Sequence, residues 1–552
     1  MENEKQEFGF WTTVEKITGQ INRQQLLWSF VFTYAIGLIA HAYAFLNLLA
    51  SHDSLKEFAY NKDYWIWKIQ LGRYLKPLYD FVLGKFGSFP WTNGLIALLW
   101  LSLSVYFVVR IFGFEKKSHI AIIAGIMSTN IVVSSLAATY MPDLSSNMLS
   151  LLFAVFACFL WLKMTENIKS LKKSHIALMS LCTSFLLFLS MGIYQAFLFV
   201  FIAIVLIVSI QRLMTNPEKV KTVWLNDIIA AVDTLIGGGM YYLGLKLSTL
   251  ITGIEQVDGY NSVKNAWTNT ESFAYRIGET LYEFIFYTLA DSEYVYPTII
   301  TFAINVALAL LCIVSFFSAF RHKKNSEKRK SAFISIVLFV CALPFVMCGT
   351  RLLNSSIHTL MIYACFFTYV LYLCIAETRY RITQKNFLKR ITCVLLCCFI
   401  FINIQTANAG YVKKSTEQQS TLSVMTRVID KIETTDGYKP GETPVVFIGV
   451  PGNYTQEYEE FSNFSKSTGL GSHNAITFYD YYEPYFDIIL KADINIADSE
   501  NADEITLTDK AKAMPVFPAE GSVKVIDGTV VVKFTTPYTD IPRCIENITT
   551  DE

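Results

Sequence analysis

Between about residues 26 and 407 the chain repeats one device: blocks of roughly 20 apolar residues separated by short polar stretches. About 20 apolar residues is the length a helix needs to cross the hydrocarbon core of a bilayer, where a helix satisfies its own backbone polar groups. Composition agrees. Hydrophobic residues make up 53% of the 552 positions and charged residues 17%, against about 25% charge in soluble domains. The mean hydropathy is +0.38. Such a chain cannot cover its surface with ionised side chains, and collagen-like, disordered and disulfide-scaffold classes are excluded. The sequence predicts a polytopic α-helical membrane protein with a soluble tail.

Spanning helices are expected at 26–48, 93–113, 119–138, 147–163, 176–193, 195–212, 225–249, 297–319, 331–349, 356–376 and 391–407, about 11 in all. The expected organisation is a short N-terminus (1–25), a membrane domain (26–407) with long loops at 51–92 and 251–296, and a C-terminal domain (408–552). Lys and Arg gather in one set of short loops, around 116–117, 163–173, 212–221, 321–330 and 379–390. The opposite set, apart from 51–92, is nearly free of them. The positive-inside rule then makes the N-terminus cytoplasmic and the tail extracytoplasmic. The first apolar block follows about 24 polar residues and lacks a small-residue cleavage site, so an uncleaved anchor is expected.

The tail begins with a polar helical stretch (415–434). Strand-like runs follow at 443–449 and 521–526, the second joined by Asp527-Gly528 to the β-branched run 529–534. Asp-Gly between β-branched runs is a hairpin signal, and a small α/β domain is expected. From Tyr411 onward acidic residues outnumber basic ones by about 23 to 12. Net charge is zero overall, which argues against a nucleic-acid partner. Ten of the 11 cysteines, Cys158 to Cys398, lie in or beside apolar blocks without a CxxC pair. They read as packing residues, not as metal ligands or disulfides.

Candidate chemistry concentrates in the loops on the tail's side of the membrane. Asp53, in the run Ser51-His52-Asp53-Ser54, stands at the end of the first span. There a carboxylate is well placed as a general base for a hydroxyl delivered at the membrane boundary, or simply as a helix N-cap. The segment 67–82 places Trp67, Leu71, Tyr74, Leu75, Leu78 and Val82 at helical spacing. It is expected to lie in the headgroup plane with its cations towards lipid phosphates, broken or kinked at Pro77. Arg73 and Lys76 are phosphate-binding candidates, a fork and a point charge, or ordinary snorkelling residues. Tyr140-Met141-Pro142-Asp143 supplies a second carboxylate, or a cap for the next helix. Tyr194-Gln195 places a phenol and an amide at a tight turn, where an amide needs a ligand or a helix-to-helix bond. Arg351, the lone cation of a loop it shares with His358, is read as holding an anion. The seven histidines form no ligand spacing, and no phosphate loop, dinucleotide fingerprint, HExxH or GxSxG motif occurs. No nucleotide, metal or other cofactor is expected.

The motifs Ser51-His52-Asp53-Ser54-Leu55, Gly72-Arg73-Tyr74-Leu75-Lys76-Pro77, Tyr140-Met141-Pro142-Asp143 and Gly192-Ile193-Tyr194-Gln195-Ala196, in this order, resemble bacterial membrane glucosyltransferases of the serotype-converting Gtr type II group, which modify O-antigen. The run from Gly521 to Gly528 also looks like the end of uncharacterised members. The resemblance implies a GT-C type glycosyltransferase using a polyprenyl-phosphate-linked sugar, here undecaprenyl-phosphate-glucose, on the outer face of the membrane. The acceptor would be a cell-surface glycan, O-antigen or cell-wall polymer. It implies a first-loop acidic residue as base, matched by Asp53 with Asp63 and Asp143 as further candidates. His52, Arg73, Lys76, Tyr140, Tyr194, Gln195 and Arg351 are the implied substrate contacts, and the chemistry is an inverting, metal-independent displacement. Many enzymes of that class carry adjacent acidic residues in the first loop, whereas Ser54 follows Asp53. The competing readings are a lipid-linked-glycan flippase or other transporter, which would need mid-span ionisable residues such as Asp233 and Lys246, and a scaffold with an exported tail.

Overall fold

The computed structural model describes residues 21–58, 62–84, 89–257, 271–290, 298–322, 328–354, 357–451, 470, 475–476 and 479–535, with the side chains of His52, Asp53, Lys56, Lys62, Asp63, Ala290, Thr298 and His322 excepted. It is helical apart from one small sheet. Helices α1 (Arg23–Leu46), α2 (His52–Phe58), α3 (Lys62–Gln70), α4 (Lys76–Leu83) and α5 (Pro90–Phe112) are followed by α6 (Lys117–Thr129), α7 (Ile131–Thr139), α8 (Leu144–Glu166), α9 (Lys173–Ile193) and α10 (Leu198–Thr215). The second half of the bundle comprises α11 (Val220–Thr252), α12 (Phe273–Ile285), α13 (Thr298–His322), α14 (Arg329–Met347), α15 (Gly349–Leu353), α16 (Phe367–Thr383) and α17 (Phe387–Glu433).

Among the described residues nine helices are long and apolar enough to cross a bilayer, and the bent pair α6–α7 makes a tenth. The 41° bend falls at Asn130, whose amide explains it. The side-chain oxygen of Asn130 accepts the Val133 N–H at 3.4 Å, while its NH2 donates to the Ile126 and Met127 carbonyls at 3.0 Å. One side chain thus ends one helix and starts the next without leaving a buried polar group unmet. The eleventh expected crossing, 356–376, becomes two 3-10 turns followed by α16, which has 17 residues and carries Glu377, Arg379 and Arg381 near its end. Its apolar part is too short to span by this measure.

The helix α17 is 47 residues long, about 70 Å at 1.5 Å per residue. Its first half packs in the bundle. It then runs unbroken past position 408 into the tail, where Val424, Met425, Val428 and Ile432 enter a second apolar core. That core is closed by a three-stranded sheet of order β1-β3-β2: β1 (Val445–Ile448) runs parallel to β3 (Thr529–Lys533), and β2 (Val523–Ile526) antiparallel to it. The expected hairpin is present, with Asp527 at φ 48° and Gly528 at φ 86°. Two positive φ values are what a two-residue type I′ turn requires.

Candidate functional site at one end of the helix bundle

Alternate helix ends meet where the first long loop folds. The Ser51 hydroxyl donates to the Thr139 carbonyl (2.7 Å), the Asn93 amide donates to Pro142 O (2.9 Å) and accepts the Ser145 N–H (2.8 Å), and Leu75 N–H bonds to Gly192 O (2.9 Å). The loop is therefore pinned to the ends of α7, α8 and α9.

Ser51 and Ser54 cap α2 reciprocally: Ser51 N–H donates to Ser54 Oγ (2.8 Å) and Ser54 N–H to Ser51 Oγ (3.2 Å). The capping role open to Asp53 is thus filled by its serine neighbours, and Asp53 sits in the first turn of α2. The side chains of His52, Asp53 and Asp63 lie outside the described residues.

The stretch 67–82 is two helices, parted at Gly72 rather than at Pro77. Gly72 (φ 77°) ends α3, with Arg73 N–H bonding back to Lys68 O at 2.8 Å, a left-handed glycine stop. Pro77 then lies in the first turn of α4, where a missing N–H costs nothing. Gly192 is needed opposite this turn, since a Cβ there would stand 2.6 Å from Leu75 Cδ1.

The two lysines of this stretch do not face outward to lipid. Lys68 and Lys76 are each 2% exposed and point into a buried ionic cluster with Asp143. Tyr64 OH donates to Asp143 Oδ1 (2.6 Å), Lys76 Nζ lies 3.1 Å from the same oxygen, and Lys68 Nζ pairs with Oδ2. Lys76 also reaches Asp80 (2.5 Å) and Glu57 (3.2 Å). The reason is local sequence plus packing. Asp80 is one turn from Lys76 on α4, and the Asn93-held turn presents Asp143 between the two lysines. Asp143 spends neither oxygen on the cap of α8. Burial pushes the Glu57 carboxyl up to about 8, Asp143 and Asp80 adding to the rise that Lys76 and Lys68 oppose. Burial likewise raises Asp80 and lowers Lys68, which Asp143 partly restores. For Lys76, burial alone would lower the ammonium, but the carboxylates of Glu57, Asp143 and Asp80 outweigh it and hold the charge firmly.

Arg73 differs from both lysines. Its guanidinium lies 4.6 Å from the Tyr194 ring centre, its Nε is buried without a hydrogen-bond partner, and among the described residues no carboxylate pairs with it. Burial and the nearby Arg73 charge hold His358 below the ordinary histidine value. Gln195 takes the helix-to-helix role, donating to Leu71 O (2.8 Å) and to Tyr241 OH (3.0 Å), which in turn donates to Gly72 O (3.1 Å). Tyr140 faces Lys68 across 5.4 Å. Arg351 is not an open anion site. Its Nη1 lies 2.8 Å from Glu271 Oε2 and donates to Asn354 O at 2.9 Å. The geometry thus brings together Asp143, Tyr140, Lys76, Arg73, Tyr194 and Gln195, and adds Glu57, Tyr64, Lys68, Asp80 and Tyr241. Of these, Glu57 was legible as the acid one helical turn after Asp53, and Asp80 as the acid one turn after Lys76.

No three His, Cys, Asp or Glu side chains among the described residues are arranged to hold a metal ion. The mid-span groups are engaged locally, Asp233 with Ser180 and Lys246 over the Tyr242 ring.

The tail reaches this end too. Leu55 of α2 and Ala50 before it are buried in the tail's core, Ala50 N–H donates to Gln418 Oε1 (3.3 Å) and Tyr43 OH to Ser415 Oγ (2.9 Å).

Among known proteins, no curated sequence and no solved structure matches the chain. The family model described as Glucosyl transferase GtrII matches residues 42–369. That match runs from the end of α1 through all the loops just described and into α16, more than half of the chain, and stops short of the tail. The chain belongs to the GtrII glucosyl transferase family, the membrane glucosyltransferases.

Proposed function

We propose that this glucosyltransferase moves glucose from a polyprenyl-phosphate donor to a cell-surface glycan, O-antigen or cell-wall polymer, on the outer face of the cytoplasmic membrane. The observation that carries the reading is Arg73. A half-buried guanidinium with an unpartnered Nε, stacked on Tyr194 at the bundle end, suits a phosphate that arrives with a lipid. Lys76, by contrast, is already paired with Asp80 and Asp143, so the phosphate role falls to Arg73.

The reaction is a single inverting displacement of GT-C type. The acceptor hydroxyl gives its proton to Asp53, its oxygen bonds to the anomeric carbon, and the bond from that carbon to the phosphate oxygen breaks. The lipid monophosphate leaves with the electron pair, its charge met by Arg73. Asp143 is the weaker candidate for the base because Tyr64, Lys68 and Lys76 occupy both its oxygens. Its place in the proposal is to fix the two lysines and α3 around the site. The Lys and Arg asymmetry of the loops supports placing this end and the tail outside.

The test is transfer from radiolabelled polyprenyl-phosphate-glucose by protein in nanodiscs. Asp53→Asn is expected to lower kcat at least about a hundredfold with the fold intact, general-base catalysis supplying about 10²–10⁴. Arg73→Ala is expected to lower kcat/KM for the donor by about tenfold to a hundredfold, the worth of one or two charge-assisted hydrogen bonds. Full activity in Asp53→Asn would remove Asp53 as base. Failure of the wild type to turn over this donor would remove the sugar lipid.

A further inference from the structure

We propose that Cys348 and Cys365 form a disulfide in the mature protein. Cys348 is the C-cap of α14, and Cys365 lies in the 3-10 turn Tyr363–Phe366 that leads into α16. Their sulfurs are 3.3 Å apart, and the side chains are 0% and 1% exposed. Among the described residues no other two cysteine sulfurs approach within hydrogen-bond distance. Closing to the about 2.05 Å of a disulfide needs a movement of about 1.3 Å shared between two short side chains.

The location decides whether an oxidant is at hand. The 3-10 turn Thr359–Met361 packs on α7, and His358 lies within electrostatic range of Arg73. The pair thus belongs to the same end of the bundle as the site. The inference rests on placing that end outside the membrane, where thiols meet protein disulfide oxidants, as they do not in the cytosol. The two thiols give up two protons and two electrons to the disulfide of such an oxidant, by exchange through a mixed disulfide. The oxidant departs as a dithiol and the Sγ–Sγ bond remains. Because both sulfurs are buried in the folded chain, exchange occurs during insertion, before α14 and α16 close. The bond would tie the two ends of the segment that carries Arg351 and His358, holding the latter opposite Arg73.

The full-length protein is isolated from membranes lysed in N-ethylmaleimide, denatured without reductant, digested and analysed by mass spectrometry. The expected result is a linked peptide pair containing Cys348 and Cys365, with these two of the 11 cysteines escaping alkylation until a reductant is added. In Cys348→Ser and in Cys365→Ser the remaining partner should be alkylated without reduction. Wild type alkylated at both positions overturns the bond. Protease digestion of the tail in intact spheroplasts reports orientation separately. A digested tail with both thiols alkylated overturns the disulfide and leaves the transferase reading standing, whereas a protected tail with both thiols alkylated overturns both.

Discussion

At the scale of single residues, the carboxyl groups of Asp143, Glu57 and Asp80 stand together around the Lys76 ammonium, and Asp143 and Glu57 differ by their surroundings. Asp143 meets two ammonium groups and a phenol, so both its oxygens are engaged. Removing one partner of a buried ionic cluster strands the others, at a cost of about 3–5 kcal/mol. Asp143→Asn should therefore lower the thermal midpoint markedly, measured in detergent by fluorescence, whereas Asp53→Asn should leave it near wild type. Glu57 is the group that titrates in a useful range. Its folded pKa is raised by burial from 4.5 to about 8, so between those values the folded chain keeps a proton that the unfolded chain has lost. The stability this contributes is full below the unfolded value and disappears as the pH rises through the folded one. The wild-type thermal midpoint should fall between about pH 5 and pH 9, and Glu57→Gln, which cannot ionise, should flatten that part of the profile. An unchanged slope in the variant would take Glu57 out of the account.

At the scale of elements, the first loop shows how local signals compete. Periodicity predicts an amphipathic helix over 67–82 broken or kinked at Pro77, whereas the break falls at Gly72, whose left-handed φ ends α3, and Pro77 starts α4. Both residues were visible in the sequence. Their effect was to re-aim the chain, which turned Lys68 and Lys76 inward instead of towards lipid. For α2, the serine pair around Asp53 holds the helix start. Ser51→Ala removes the cap and the bond to Thr139 O, and loss of an N-cap costs about 0.5–2 kcal/mol. That is enough to loosen the turn carrying Asp53, and kcat should fall several-fold while KM for the donor holds. A variant with unchanged kcat would show that α2 is positioned by other contacts.

At the scale of the molecule, α17 and the tail touch the candidate site through α2. Leu55 is 0% exposed within the tail's core, so the helix that carries Asp53 is gripped between the bundle end and the tail. Leu55→Ala should weaken this grip by about 2–5 kcal/mol, the usual cost of such a truncation in a core. The expected outcome is faster protease release of the tail together with lower kcat, the bundle's own thermal transition remaining in place. Undiminished turnover in a variant whose tail has loosened would show that the tail only covers the site.

The apolar blocks, the tail strands and the Asp527-Gly528 hairpin were legible because each depends on residues near in sequence: a run long enough to span, a β-branched run, a turn that needs positive φ. The glucosyltransferase family was likewise legible in four short motifs whose order survives without any structure. What only the tertiary structure decided is which charges meet. Lys68 and Asp143 are 75 positions apart, Arg351 and Glu271 80, and a cation's partner in a low-dielectric interior is set by packing rather than by spacing. The same packing leaves Arg73 without a carboxylate partner among the described residues, and it joins Leu55 of the first loop to a tail core built mainly from residues beyond position 424.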